Sequence, residues 1–169
     1  QKLQKKLVQK VLNTGYKVIS IPGACSILVA LCQSGLSSDR FFFGGFPPKK
    51  TNHRIKFFNN LLSVPSTLIF FESPKRIINT LEDLGEVFGY YNNIVICREL
   101  TKSFEENIRG KIEDVIKILK QNNYVRGEIT IIVEKKNNIK PDLNLIKSDF
   151  IKLLDNSTFK DSVISISKK

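Results

Sequence analysis

The chain has 169 residues, 41% of them hydrophobic, with 27 basic against 16 acidic side chains and a formal net charge of +11. This length corresponds to about one domain with a core that buries roughly two-thirds of the unfolded surface, which excludes a disordered tail. No run reaches the ~18 apolar residues of a membrane span, no charged-then-apolar start marks a signal peptide, and three cysteines (Cys25, Cys32, Cys97) are too few for a disulfide scaffold. That sparse, odd set fits a reducing cytoplasm. The chain contains no methionine and opens Gln-Lys-Leu-Gln-Lys-Lys, so we expect a fragment or processed form of something longer. Lysine outnumbers arginine 21 to 6, and isoleucine (21) and asparagine (14) are abundant, a bias that an AT-rich coding sequence produces unaided. The charge is nevertheless uneven. Residues 1–60 hold ten basic side chains against one acid, Asp39, so +9 of the +11 lies there. A polyanion-binding surface and a merely solvated basic face both account for it.

In chain order, Leu3, Leu7, Val8, Val11 and Leu12 form one helical stripe that Gly15 ends. Lys17–Ile21 (KVISI) reads as a short β-branched strand broken by Pro22-Gly23, and Ala24–Gln33 as a buried helix closed by Ser34-Gly35. Phe41–Phe43 is a strand candidate that leads into the loop Gly44-Gly45-Phe46-Pro47-Pro48. A helical pattern over 51–62 follows, with Thr51 as N-cap, then an apolar strand Thr67–Phe71. Glu72-Ser73-Pro74 is expected to cap a helix running to Phe88, with proline at its first position. Asn93–Cys97 is the next strand, 111–121 a helix and Glu128–Glu134 a further strand. Helices are expected over 143–155 and from Thr158. Alternating strands and helices with short connections give an α/β fold, in which ligands sit at the C-terminal ends of parallel strands.

Four segments combine polar groups in ways that chemistry can use. Pro22-Gly23-Ala24-Cys25-Ser26 joins a strand to a helix start, where free amides suit a ligand's carboxylate, although such a turn is commonly only a turn. Glu72-Ser73-Pro74-Lys75-Arg76 is either a functional strand end or simple capping. Arg98-Glu99-Leu100-Thr101-Lys102, with Phe104-Glu105 beyond, is either a site or a local ion pair. Phe43–Lys50, with Arg54 a turn later, mixes aromatics with cations in a way that suits single-stranded RNA, although its phenylalanines serve equally as core. His53 is the only histidine and the cysteines lack metal spacing, so no metal is expected.

Taken in order, IPGACS, ALCQSGL, DRFFFGGFPPKK, TLIFFESPKRI, TLEDLGEVFG, VICRELTKSFE and RGEITIIVE resemble the ribosomal RNA small subunit methyltransferase I family of the tetrapyrrole methylase superfamily. The resemblance covers residues 7–135 and, more weakly, the tail. ESPKR followed by CRELTK is specific within the superfamily, whereas PGACS marks only the superfamily. The resemblance implies a mixed-sheet C-terminal α/β domain at 23–136. It also implies a remnant of an N-terminal domain at 1–22 (its last helix and strand) and a truncated helical appendage at 137–169. It implies S-adenosyl-L-methionine-dependent 2′-O-methylation of a cytidine in small-subunit ribosomal RNA, performed by a cytoplasmic homodimer. The cofactor is implied to lie against Ala24, Cys25 and Ser26, against Phe71, Glu72 and Ser73, and against Leu100, Thr101, Gly127, Glu128 and Ile129. For the reaction, Glu72 or Glu99 is expected to accept the hydroxyl proton, with Arg98 and Lys102 orienting the acid or holding phosphate. Lys49, Lys50, Arg54 and Arg76 are the expected RNA contacts. The family's Gly- and Asp-rich N-terminal loop is absent here, so the isolated chain is expected to bind cofactor poorly. The alternatives are a methylase of this fold with a tetrapyrrole or protein substrate, and a non-catalytic RNA-binding relic.

Overall fold

A computed structural model of the chain describes residues 2–121 and 127–134. Three strands lie parallel and point the same way: β1 (Phe41–Gly45), β2 (Thr67–Glu72) and β3 (Asn93–Arg98). Two more run against them, β4 (Glu106–Lys111) and β5 (Ile129–Val133). The order across the five-stranded sheet is β1-β2-β5-β3-β4, which places the last strand in the middle. The sheet is therefore mixed, as expected.

Alternation along each strand sends side chains to opposite faces, and both faces are covered. Leu68 and Phe70 of β2, Ile94 and Ile96 of β3, and Ile129, Ile131 and Val133 of β5 share one face with α3 (Thr51–Asn59), α4 (Ile77–Phe88) and α5 (Ile112–Gln121). Phe58, Leu81, Leu84 and Val115 fill that layer. On the other face Ile69, Val95, Cys97 and Ile132 pack against Ala30 and Leu31 of α2 (Ser26–Ser34). The central strands read as near-continuous apolar runs because neither face meets water.

Several expectations are corrected. Lys17–Ile21 forms no strand: Ile19 and Ile21 are 73% and 91% exposed, and strand propensity does not hold a strand that has no neighbour to pair with among the described residues. The helix before it, α1 (Lys2–Asn13), is present. β4 was not expected at all. Its sequence, ENIRGK, is that of an edge strand with one solvated side, held to β3 from Asn93↔Lys111 to Arg98↔Glu106. Thr51 is the first residue of α3 rather than its cap. α4 starts at Ile77 because Ser73–Arg76 first make a turn, with the Arg76 amide donating to the Ser73 carbonyl at 3.0 Å. The two helices expected after residue 142 lie outside the described residues.

Candidate functional site

The C-terminal ends of β1, β2 and β3 converge on a cleft of about 360 Å³. It is lined by Ser26 at the start of α2, Phe46 after β1, Phe71 and Glu72 at the end of β2, Leu100 after β3, and Glu128, Ile129 and Thr130 at the start of β5. Six of these eight were named individually at the cofactor by the resemblance. Cys25 stands in the N-cap position of α2 without a side-chain cap bond, and the first-turn amides of any helix lack intrahelical acceptors. Ala24 and Cys25 lead into Ser26, Thr101 follows Leu100, and Gly127 precedes Glu128; Ser73 lines a second groove instead. Thr130 closes the Gly127–Thr130 segment that the resemblance placed on the adenosine side, and Phe46 was expected with RNA rather than with a cofactor.

The cleft wall is braced by carboxylates. Glu72 is only 3% exposed, and its two oxygens accept from the Ser73 amide (2.6 Å), Arg76 Nε and Nη2 (2.8 Å each) and Thr80 Oγ1 (2.7 Å). An ionised carboxylate has about four acceptor positions, and here four donors fill them. That corrects the expectation that Glu72 takes a proton, because no acceptor position is left for a substrate hydroxyl. Glu99 Oε1 accepts from the Glu128 amide at 2.7 Å and from Lys102 Nζ at 3.0 Å, while the Glu99 amide donates back to the Glu128 carbonyl. The Glu128 amide, and then Lys102, hold the Glu99 carboxyl below the ordinary range, and the same bond raises Lys102. Arg98 pairs across the sheet with Glu106 at 2.7 Å, so its guanidinium is engaged there, and its charge adds only a last, smaller lowering to Glu99. The loop after β3 carries two left-handed non-glycine residues, Glu99 (φ 50°) and Thr101 (φ 65°). The amide of Thr101 is fixed by Glu105 Oε2 at 2.6 Å. Conformations of this kind persist where neighbouring bonds over-determine them.

The expected RNA contacts divide in two. Lys49 and Lys50 are exposed on the loop after β1. Arg54 is a correction: it is 2% exposed, its guanidinium pairs with Asp83 on α4, and it donates to the carbonyls of Pro48 (3.3 Å) and Lys49 (3.2 Å). It anchors the loop from beneath and presents nothing to a ligand. Arg76 also anchors the loop, donating to the Pro47 carbonyl at 3.1 Å, but it keeps one side on the groove beside the cleft.

Among the described residues no helix is long and apolar enough to cross a membrane, and no group of three His, Cys, Asp or Glu side chains gathers to hold a metal.

Known proteins resemble this chain in sequence and in fold. The protein named ribosomal RNA small subunit methyltransferase I in Pasteurella multocida is 37% identical over 150 residues, which is 88% of this chain and 53% of that protein. Its namesake in Haemophilus influenzae is 41% identical over 131 residues, 77% of this chain and 46% of that one. The chain thus spans about half the length of the curated relatives it matches. Among solved structures, the methyltransferase CobJ superposes with a TM-score of 0.58 at 16% identity, over 79% of this chain and 57% of the other. Uroporphyrin-III C-methyltransferase from Thermus thermophilus, complexed with S-adenyl homocysteine, gives 0.51 at 18% identity over 78% and 58%. At such identities the likeness concerns the fold. A family model described as Tetrapyrrole (Corrin/Porphyrin) Methylases matches residues 4–116, more than half of the sequence. By fold, and by that match, the chain belongs to the tetrapyrrole methylase family.

Proposed function

We propose that this chain supplies the C-terminal wall of the cofactor cleft of an S-adenosyl-L-methionine-dependent methyltransferase, and that its substrate is the 2′-hydroxyl of a cytidine in small-subunit ribosomal RNA. One observation carries the reading. Ser26, Phe71, Glu72, Leu100, Glu128 and Ile129, scattered over a hundred residues of sequence and each expected at a cofactor, line a single cleft at the ends of the parallel strands. The relatives named as ribosomal RNA methyltransferases support the RNA substrate.

The lining fits the cofactor chemically. Leu100, Phe71 and Ile129 offer apolar walls for an adenine ring, and the α2 start offers amides and a positive dipole end for a carboxylate. When bound, the cofactor supplies an electrophilic methyl group. The chain's own residues shape the place where it is delivered. Glu72 acts as a positioning residue, holding Arg76 and the turn into α4, and Glu99 positions the Glu128 amide at the cleft wall. Lys102 Nζ donates to the same Glu99 oxygen and, after the Glu128 amide, adds to the lowering of that carboxyl. Lys49, Lys50 and Arg76 face the RNA, and the enzyme works as a homodimer in the cytoplasm.

The test has two arms. Titration with S-adenosyl homocysteine, followed by amide NMR shifts, is expected to move Ser26, Leu100, Glu128 and Ile129 and to spare the α5 side of the sheet, a readout that registers weak binding. Methyl transfer to unmodified small subunits is expected to yield 2′-O-methylcytidine by mass spectrometry. Shifts scattered away from the cleft would remove the cofactor assignment. Transfer to a porphyrinoid but not to RNA would establish the tetrapyrrole alternative.

A further inference from the structure

Beside the cleft lies a wider groove of about 640 Å³, lined by Phe46, Pro47, Pro48, Lys49, Glu72, Ser73, Lys75 and Arg76. Phe46 and Glu72 belong to both cavities and mark their shared edge. Phe46 is 66% exposed, although the three phenylalanines upstream, Phe41–Phe43, are paired into the sheet. A single exposed phenylalanine is ordinary, but the way this one is held is not.

The backbone is built to aim it. Phe41, Phe42 and Phe43 pair with Thr67, Leu68 and Ile69, the register then skips Gly44, and Gly45 stands opposite Phe70. Because side chains alternate along a strand, the inserted residue returns Phe46 to the face that Phe43 and Phe71 share. Without it, Phe46 would point toward the helical layer with Phe70. Gly45 takes φ +69°, and a Cβ on Gly44 would meet Phe70 Cε1 at 2.6 Å, so the insertion requires this glycine pair. The ring of Phe46 then rests on Phe71, with centroids 5.6 Å apart, and Phe71 rests on Phe43 at 4.9 Å. The next three carbonyls, of Pro47, Pro48 and Lys49, are gripped by Arg76 and Arg54. The aromatic face is thereby fixed at a boundary. On its cleft side are the residues assigned to the methyl donor. On its groove side are Lys49 and Lys75, exposed and without carboxylate partners among the described residues.

We propose that Phe46 is the stacking platform for the base of the nucleotide to be methylated, and that Lys49 and Lys75 hold its flanking phosphates in the groove. This rests on the RNA reading above and adds to it a positioned base and two named cations. Base–aromatic stacking and backbone charge are the two recurring components of single-strand recognition, and here they adjoin the cofactor cleft.

The probe is a fluorescein-labelled oligocytidylate 12-mer, with an abasic oligomer of equal length as reference, and the readout is anisotropy over a salt series. Phe46→Leu is expected to weaken oligocytidylate binding about 5- to 100-fold, to leave abasic binding unchanged and to keep the salt slope. Phe46→Trp is expected to restore affinity, which separates stacking from a folding defect. Lys49→Gln and Lys75→Gln are each expected to reduce the slope of log K against log salt by about 0.7. Salt-dependent binding that Phe46→Leu leaves intact, that Phe46→Trp does not restore, or that falls equally on the abasic oligomer overturns the platform and leaves the RNA reading standing. Unchanged slopes in both lysine variants overturn the phosphate contacts. No RNA binding by the wild-type chain overturns the RNA reading and the platform together.

Discussion

Removing the Arg54 side chain tests the interior of the molecule and the origin of its surface charge at once. Arg54 and Asp83 lie 29 residues apart in sequence, and their side chains are 3% and 9% exposed. Arg54→Ala strands the Asp83 carboxylate in that setting and frees the carbonyls of Pro48 and Lys49. Breaking one partner of a buried pair costs about 3–5 kcal/mol, a large share of the 5–15 kcal/mol that holds an ordinary domain together. At about 2–4 °C per kcal/mol for a chain of this size, the melting temperature should fall by roughly 6–20 °C. Circular dichroism melts at low and high salt measure it. The loss should persist in 1 M salt, because the pair is shielded from the solvent ions that screen exposed charges. Lys120→Ala, which removes a pair with Glu82 whose side chains are 54% and 40% exposed, is the control and should cost under about 1 kcal/mol. The double change Arg54→Met with Asp83→Leu should recover most of the loss, since apolar replacements of buried pairs are frequently neutral or better. If Arg54→Ala melts within about 2 °C of wild type, or no lower than Lys120→Ala, the anchoring role is wrong and the arginine becomes available again as an RNA ligand.

Three further outcomes are expected. Burial pushes the Cys97 thiol up to about 11, so at pH 8 a disulfide reagent should label the exposed Cys32 at once and reach Cys97 only after denaturant is added. Glu99 is lowered chiefly by the Glu128 amide and Glu105 by the Thr101 amide, both from an ordinary value of 4.5. Their contribution is complete above that value and lost as pH falls through the lower folded values. Hydrogen exchange at Glu128 and Thr101 should therefore stay slow at pH 5–7 and show increased opening only below about 4.5. Gly44→Ala should cost about 1–3 kcal/mol in thermal unfolding, because its Cβ would meet Phe70 at 2.6 Å and 2.9 Å and Phe57 at 3.2 Å, and Phe70 is fully buried.

The central strands were legible because burial on both faces writes itself as an unbroken apolar run: TLIFF, NIVIC and EITIIVE each sit within a residue of the observed limits. β4 was not, since an edge strand with a half-exposed pattern shares its composition with loops. KVISI shows the converse failure, where β-branched residues advertise a strand that pairing does not supply. The cleft was legible chiefly through the resemblance, which assigned Ser26, Phe71, Glu72, Leu100, Glu128 and Ile129 to a cofactor; the residues alone offered only polar segments following two apolar strands. What a charged residue does there was not legible. Arg54 and Lys49 look alike in a basic stretch, and only Asp83, one helix away in space, separates a buried brace from a surface cation. Glu72 looked like an acid with a task because its side-chain donors, Arg76 and Thr80, come from the following turn and helix. Phe46 needed the skipped register at Gly44, which a pair of glycines hints at but does not specify.

The strand order also governs how the chain can be made. β5 is the last described strand to leave a ribosome, yet both β2 and β3 wait for it: Ile69 faces Ile132 on one side and Val95 faces Ile132 on the other. Until Ile129–Val133 emerge, the β1–β2 pair and the β3–β4 pair are two separate ribbons, each showing an apolar, unsatisfied inner edge. Pairing of this kind, deferred until β5 is available, is slow to complete and open to association in the meantime. A nascent chain stalled before residue 128 would carry every helix of the described structure and still lack the strand that joins the two ribbons, making β5 the closing step of the described sheet and the point at which quality control has most to recognise.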